Sequence, residues 1–192
     1  MEQSQKLHRM VKISLLSAIA FILMYIDIPV LPAFPWLKID LSDVPALMGA
    51  FAFGPLTGIG IELFKNILII IFKGTATGFV GETANFLVGI SLVFPAAMIY
   101  HRNKSKKTAI LGMALGFFMI EVVGILSNVF LLLPAYGMKM VGKELTTYVL
   151  AGLLPFNGIK ALLVSVITFL LYKRLSVALF KVEPMLGKPK KA

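Results

Sequence analysis

A carboxylate, an amide or an amine inside a long apolar run is expensive to hold in a bilayer, so each one here is a candidate for chemistry. They fall into four groups. Glu82, Thr83 and Asn85 open the apolar run that starts at Phe79. Asn128 lies near the end of the run that closes at Leu133. Asn157 and Lys160 open the run from Phe156. Asp40, Ser42 and Asp43, with Leu37 and Lys38 before them, precede the run that begins at Val44. Amides both donate and accept hydrogen bonds, which suits the edge of a heteroaromatic ring with mixed donors and acceptors. Trp36, Phe86, Phe130, Tyr136 and Phe156 lie close to these groups in sequence and offer stacking surfaces. Apolar walls with a few convergent polar groups are the usual form of a small-molecule site.

Simpler roles compete for several of these residues. Asp43, just before Val44-Pro45, suits a helix N-cap. Glu82 at a helix start is favoured by the dipole alone. Asn157 and Lys160 could cap a helix and snorkel to the headgroups. Glu62 and Lys65, three apart on one face, can pair with each other. Glu121 is either a pocket floor or a partner for a polar group on a neighbouring helix. No catalytic or metal constellation accompanies them. The chain has no cysteine and two histidines, His8 and His101. It has no glycine-rich phosphate loop followed by Lys and Ser or Thr, so ATP hydrolysis by this chain is not expected.

The elements that must position these residues are membrane spans. Of 192 residues, 58% are hydrophobic and 15% charged. Apolar runs long enough to cross a bilayer recur, and they are continuous rather than alternating, which points to helices and not a barrel. The net charge of +10 invites a nucleic-acid reading, but its placement argues against one. Lys6, Arg9 and Lys12 precede the first run. Arg102, Lys104, Lys106 and Lys107 share one short loop, and six more basic residues follow Tyr172. This is the positive-inside pattern, with lipid headgroups as the partner.

That pattern sets the topology. The N-terminus and the loop at 101–107 should both be cytoplasmic, so an even number of spans lies between them. The Gly54-Pro55 pair is the strongest local break, and splitting there gives four. Spans are therefore expected at about 11–28, 44–53, 58–72, 79–100, 108–133 and 156–172. The fold class is an all-α integral membrane protein, one domain of six transmembrane helices with both termini cytoplasmic and a basic tail at 173–192. The 44–53 span would rise only about 15 Å and must be shielded by other helices or extended at one end. Three prolines between Pro29 and Pro35 exclude a regular helix there. The segment from Pro134 to Pro155 reads as a long outer loop. All four polar groups then fall in the extracellular half. That arrangement describes a pocket open to the outside and closed below, not a continuous pore.

The stretch LKIDLSDVPALMGAFAFGPLTGIGIELFKN, residues 37–66, resembles the matching region of substrate-binding S-components of energy-coupling factor (ECF) vitamin transporters. The likeness extends to the six spans, the basic first turn and the LPFNGIKALL opening of the last span. It is greatest to the riboflavin-specific branch of the family. The resemblance implies a non-enzymatic subunit that captures riboflavin at the outer face. It implies docking on a membrane coupling protein that carries two cytoplasmic ATPases. No cofactor is implied beyond riboflavin as the transported ligand. The expected ligand contacts are Leu37, Lys38, Asp40, Ser42, Asp43, Glu82, Thr83, Asn85, Asn128, Tyr136, Asn157 and Lys160, with Glu82 and Lys160 offsetting one another. The family's small-residue face on span one, commonly Ala-xxx-Ala, reads Ser14-xxx-Ala18 here and is the expected contact with the coupling protein. Two other classes stay open: an S-component for another vitamin or precursor, and a small membrane enzyme or structural subunit.

Overall fold

The computed structural model describes residues 2–178; the basic tail expected from residue 173 lies outside the described residues beyond Ala178. Helix α1 (Glu2–Tyr25) is followed by two short strands, β1 (Ile28–Pro29) and β2 (Lys38–Ile39). They pair antiparallel, Ile28 with Ile39 and Pro29 with Lys38. The proline-rich stretch thus folds back on itself, and α1 ends three residues short of the expected limit because Ile28 joins that ladder.

Helix α2 (Asp43–Phe53) stops at Gly54, and α3 (Pro55–Lys73) starts at once. Gly54 has φ 110°, a conformation natural to glycine, and Pro55 occupies the first helical position, where its missing N–H costs nothing. The break inferred from the sequence is therefore present. The shielding is present too. Every residue of α2 from Asp43 to Ala52 is buried, among α1, α3, α4 and α8. A helix of about 16 Å that never meets lipid has no need to span it.

Helices α4 (Val80–Arg102) and α5 (Lys106–Ser127) form a hairpin turned by Ser105, whose hydroxyl caps Thr108 N–H at 3.2 Å. Their backbones meet closely. A Cβ added at Gly112 would strike the Ala96 carbonyl, and one at Gly116 would fall 2.6 Å from the Leu92 carbonyl. Small residues at such crossings replace the hydrophobic drive that lipid removes.

The expected loop from Pro134 to Pro155 is mostly helix. A π-helical turn (Asn128–Leu132) carries α5 into α6 (Leu133–Ala135). After residues 136–141 the chain resumes in α7 (Gly142–Thr147), a second π-helical turn (Tyr148–Leu153) and α8 (Leu154–Ala178). Each proline follows a π turn whose last N–H reaches back five residues, Leu133 to Asn128 and Leu154 to Val149. The helix thus widens by one residue just before each proline and runs on where the sequence suggested a stop. Among the described residues, five stretches are long and apolar enough to cross a membrane: Gln5–Tyr25, Pro55–Lys73, Val80–Arg102, Lys106–Ala135 and Gly142–Tyr172. The shorter α2 is the sixth apolar helix.

Candidate ligand pocket

The polar groups converge on one end of the bundle. The end of α1, strand β2, the α3–α4 turn, the π turn after α5 and the first turns of α8 enclose a cavity of about 540 Å³. Leu37, Lys38, Asp40, Glu82, Asn85, Asn128, Tyr136, Asn157 and Lys160 all line it. Trp36 and Phe156 supply aromatic wall, and Met24, Ile69 and Val88 supply apolar wall. Three expected residues stand elsewhere. Thr83 is exposed on the outer side of α4. Ser42 and Asp43 are fully buried behind the cavity. Phe130 is exposed, and neither it nor Phe86 is part of the wall.

Behind the wall lies a network of buried charges. Asp43 begins α2 and caps nothing; Ser42 holds the N-cap position, without a side-chain cap bond. One carboxylate oxygen of Asp43 takes a very short contact from Lys65 Nζ, and the other lies 3.1 Å from Lys160 Nζ. Lys65 also donates to Ser42 Oγ at 2.7 Å and pairs with Glu62 Oε2 at 2.7 Å. Lys160 is 3.6 Å from Asp40, whose carboxylate accepts Ser42 N–H at 2.8 Å. Three carboxylates thus face two ammonium groups, with Asp40 and Lys160 at the cavity wall and Asp43, Glu62 and Lys65 fully buried behind it. Each group is held by its opposite, the condition for burying charge at all. The Glu62–Lys65 pair read from the sequence is real, but it is part of this larger set. Gly89 of α4 makes room for it, since a Cβ there would collide with the Glu62 carboxylate.

This network corrects one expectation. Lys160 is matched by Asp40 and Asp43, not by Glu82. Glu82 instead accepts a hydrogen bond from Thr75 Oγ1 at 3.0 Å. Glu121, expected as a pocket floor or as a partner for a polar group on a neighbouring helix, is absent from the cavity wall; its carboxylate lies against Gly158 of α8.

The three asparagines differ in setting. Asn85 Oδ1 is 3.4 Å from Asn66 Nδ2, a residue the sequence did not single out as a contact. Asn157 is buried with its amide laid on Gly124, where a Cβ would fall 2.6 Å from Nδ2. Asn128 donates to the Gly124 carbonyl at 2.9 Å and accepts from Tyr148 Oη at 3.1 Å. Tyr148 was not foreseen, and nothing local to it in the sequence could have revealed the contact. Asp27, Lys73 and Thr77 also line the cavity, with Asp27 and Lys38 paired at 3.3 Å beside the β1–β2 ladder.

The bundle's other notable surface is the face of α1. Ser14 and Ala18 are both exposed there, while Leu16, Ser17 and Ala20 turn inward.

The comparisons with known proteins agree with this geometry. The family model "ECF transporter, substrate-specific component" matches residues 8–172. The riboflavin transporter RibU of Staphylococcus aureus is 39% identical over 176 residues, covering 90% of this chain and 92% of its own. The riboflavin transporter FmnP of Bacillus subtilis is 37% identical over 177 residues, covering 88% and 93%. A solved structure of the S component of a bacterial ECF transporter superposes with a TM-score of 0.77 at 40% identity, over 89% of this chain and 96% of its own. A bundle of apolar helices around one polar-lined cavity, matched along nearly its whole length by these proteins, belongs to the substrate-specific components of ECF transporters, multi-pass proteins of the cell membrane.

Proposed function

We propose that this chain is the riboflavin-binding subunit of an ECF-type transporter, catching its ligand at the extracellular face. The observation that carries the reading is the composition of the cavity. Three amides, Asn85, Asn128 and Asn157, meet Lys160 and Glu82 between aromatic walls, over a floor sealed by paired charges. A flavin ring has a broad apolar face and one polar edge, and its ribityl chain carries hydroxyls. Amides suit that edge, and the charged groups suit the hydroxyls. Ser42 and Asp43 would act one step removed, by holding Lys65 and Lys160 in place. The names of the relatives at 37–39% identity point to the same ligand.

Orientation follows from charge: the basic ends face the cytoplasm, so the cavity faces out. Uptake would need an energizing module of a membrane coupling protein and two cytoplasmic ATPases, docked on the exposed Ser14–Ala18 face of α1. Equilibrium titration of the purified chain with riboflavin tests the reading.

A further inference from the structure

The cavity's Asn128 amide is clamped at both ends, and the clamp reaches the outer segment of the chain. Trp36 Nε1 donates to Tyr148 Oη at 3.3 Å; Tyr148 donates to Asn128 Oδ1 at 3.1 Å; Asn128 Nδ2 donates to the Gly124 carbonyl at 2.9 Å. The polarity of this chain of bonds is set by its two ends. An indole N–H can only donate, and a backbone carbonyl can only accept. The tyrosine hydroxyl must therefore point its proton at Asn128, and the amide must keep its nitrogen toward Gly124.

An asparagine amide has two N–H groups and two oxygen lone pairs. Here one N–H and one lone pair are used, which leaves one of each on a residue that lines the cavity. A single bond to Gly124 would act as a pivot. The second bond, from Tyr148 on the opposite side, fixes the plane of the amide. Both bonds are buried, with Asn128 5% and Tyr148 1% exposed, so water does not compete for them. The Tyr148 ring is itself held edge-on by Phe34 at 5.3 Å.

We infer that Tyr148 is a positioning residue for ligand recognition: it fixes Asn128 so that an adjacent donor and acceptor face a ligand edge carrying an N–H beside a carbonyl. The inference rests on the riboflavin reading, because the imide edge of a flavin is such an edge. Tyr148 touches no ligand in this account and acts through Asn128.

The test is a double-mutant cycle on riboflavin affinity with the full chain in detergent, using Tyr148→Phe, Asn128→Ala and the double variant. Tyr148→Phe keeps the ring packed on Phe34 and removes the hydroxyl alone. The expected result is binding about tenfold weaker in the parent background, the scale of one buried hydrogen bond, and a change of less than about twofold in the Asn128→Ala background. A packing role would weaken both backgrounds by the same factor, and that result overturns the inference, as does parental affinity for Tyr148→Phe. Trp36 is the single tryptophan, so its emission in ligand-free protein gives a second reading. It should change in Tyr148→Phe, where the indole N–H loses its acceptor; unchanged emission means the chain of bonds is not formed, and the inference fails. A parent that ignores riboflavin sinks the functional reading instead and takes the inference with it.

Discussion

The Lys160 ammonium lies 3.1 Å from one carboxylate oxygen of Asp43, while the other oxygen of the same carboxylate holds Lys65. One side chain thereby ties α2 to α3 and α8, and it sets the position of a lysine in the cavity wall. Cavity wall and core are joined at this residue.

Stability should register that joint. Asp43→Ala leaves two buried ammonium groups short of a partner and should cost about 3–5 kcal/mol, the scale for breaking a buried pair. Asp27→Ala removes the half-exposed partner of Lys38 and should cost about 0–1 kcal/mol. Thermal unfolding in one detergent compares them directly. Equal midpoints for the two variants would mean the Asp43 network contributes no more than a surface pair.

Topology is tested by labelling, which the absence of cysteine makes simple. Asn103 and Lys139 are both exposed, near opposite ends of α5 and its continuation. In intact cells an impermeant thiol reagent should label Lys139→Cys and leave Asn103→Cys unmodified. Labelling at Asn103→Cys would reverse the orientation drawn from the basic residues.

The exposed face of α1 should matter for uptake and not for binding. Ala18→Trp adds bulk where the bundle has no neighbour for it. Cells carrying it should take up riboflavin at a small fraction of the parental rate, while the purified variant binds as the parent does. Uptake at the parental rate would move the coupling contact to another surface.

Much of this architecture is written locally in the chain. Gly54-Pro55 marks a helix break because one residue frees φ and the next removes a donor, and both effects act within two residues. The polar groups at residues 40–43, 82–85, 128 and 157–160 stand out because apolar runs surround them. Pro134 and Pro155 misled, since a proline reads as a stop unless the wider π turn ahead of it is known. Ser42 and Asp43, expected from the sequence as contacts, stand behind the cavity wall. Which face of a helix meets which is a long-range matter. Lys65 and Asp43 are 22 residues apart, and Trp36 and Tyr148 are 112 apart. No periodicity within one helix could bring them together.

Whether this cavity holds riboflavin is measured by titration of the purified chain, followed by quenching of flavin or Trp36 fluorescence. The parent should bind saturably. Each of Asn128→Ala, Asn157→Ala and Lys160→Ala should bind roughly five- to 150-fold more weakly, the cost of one unmade buried hydrogen bond. Unchanged affinity in all three variants would place the ligand elsewhere, and a parent that ignores riboflavin while holding a different vitamin would contradict the ligand assignment outright.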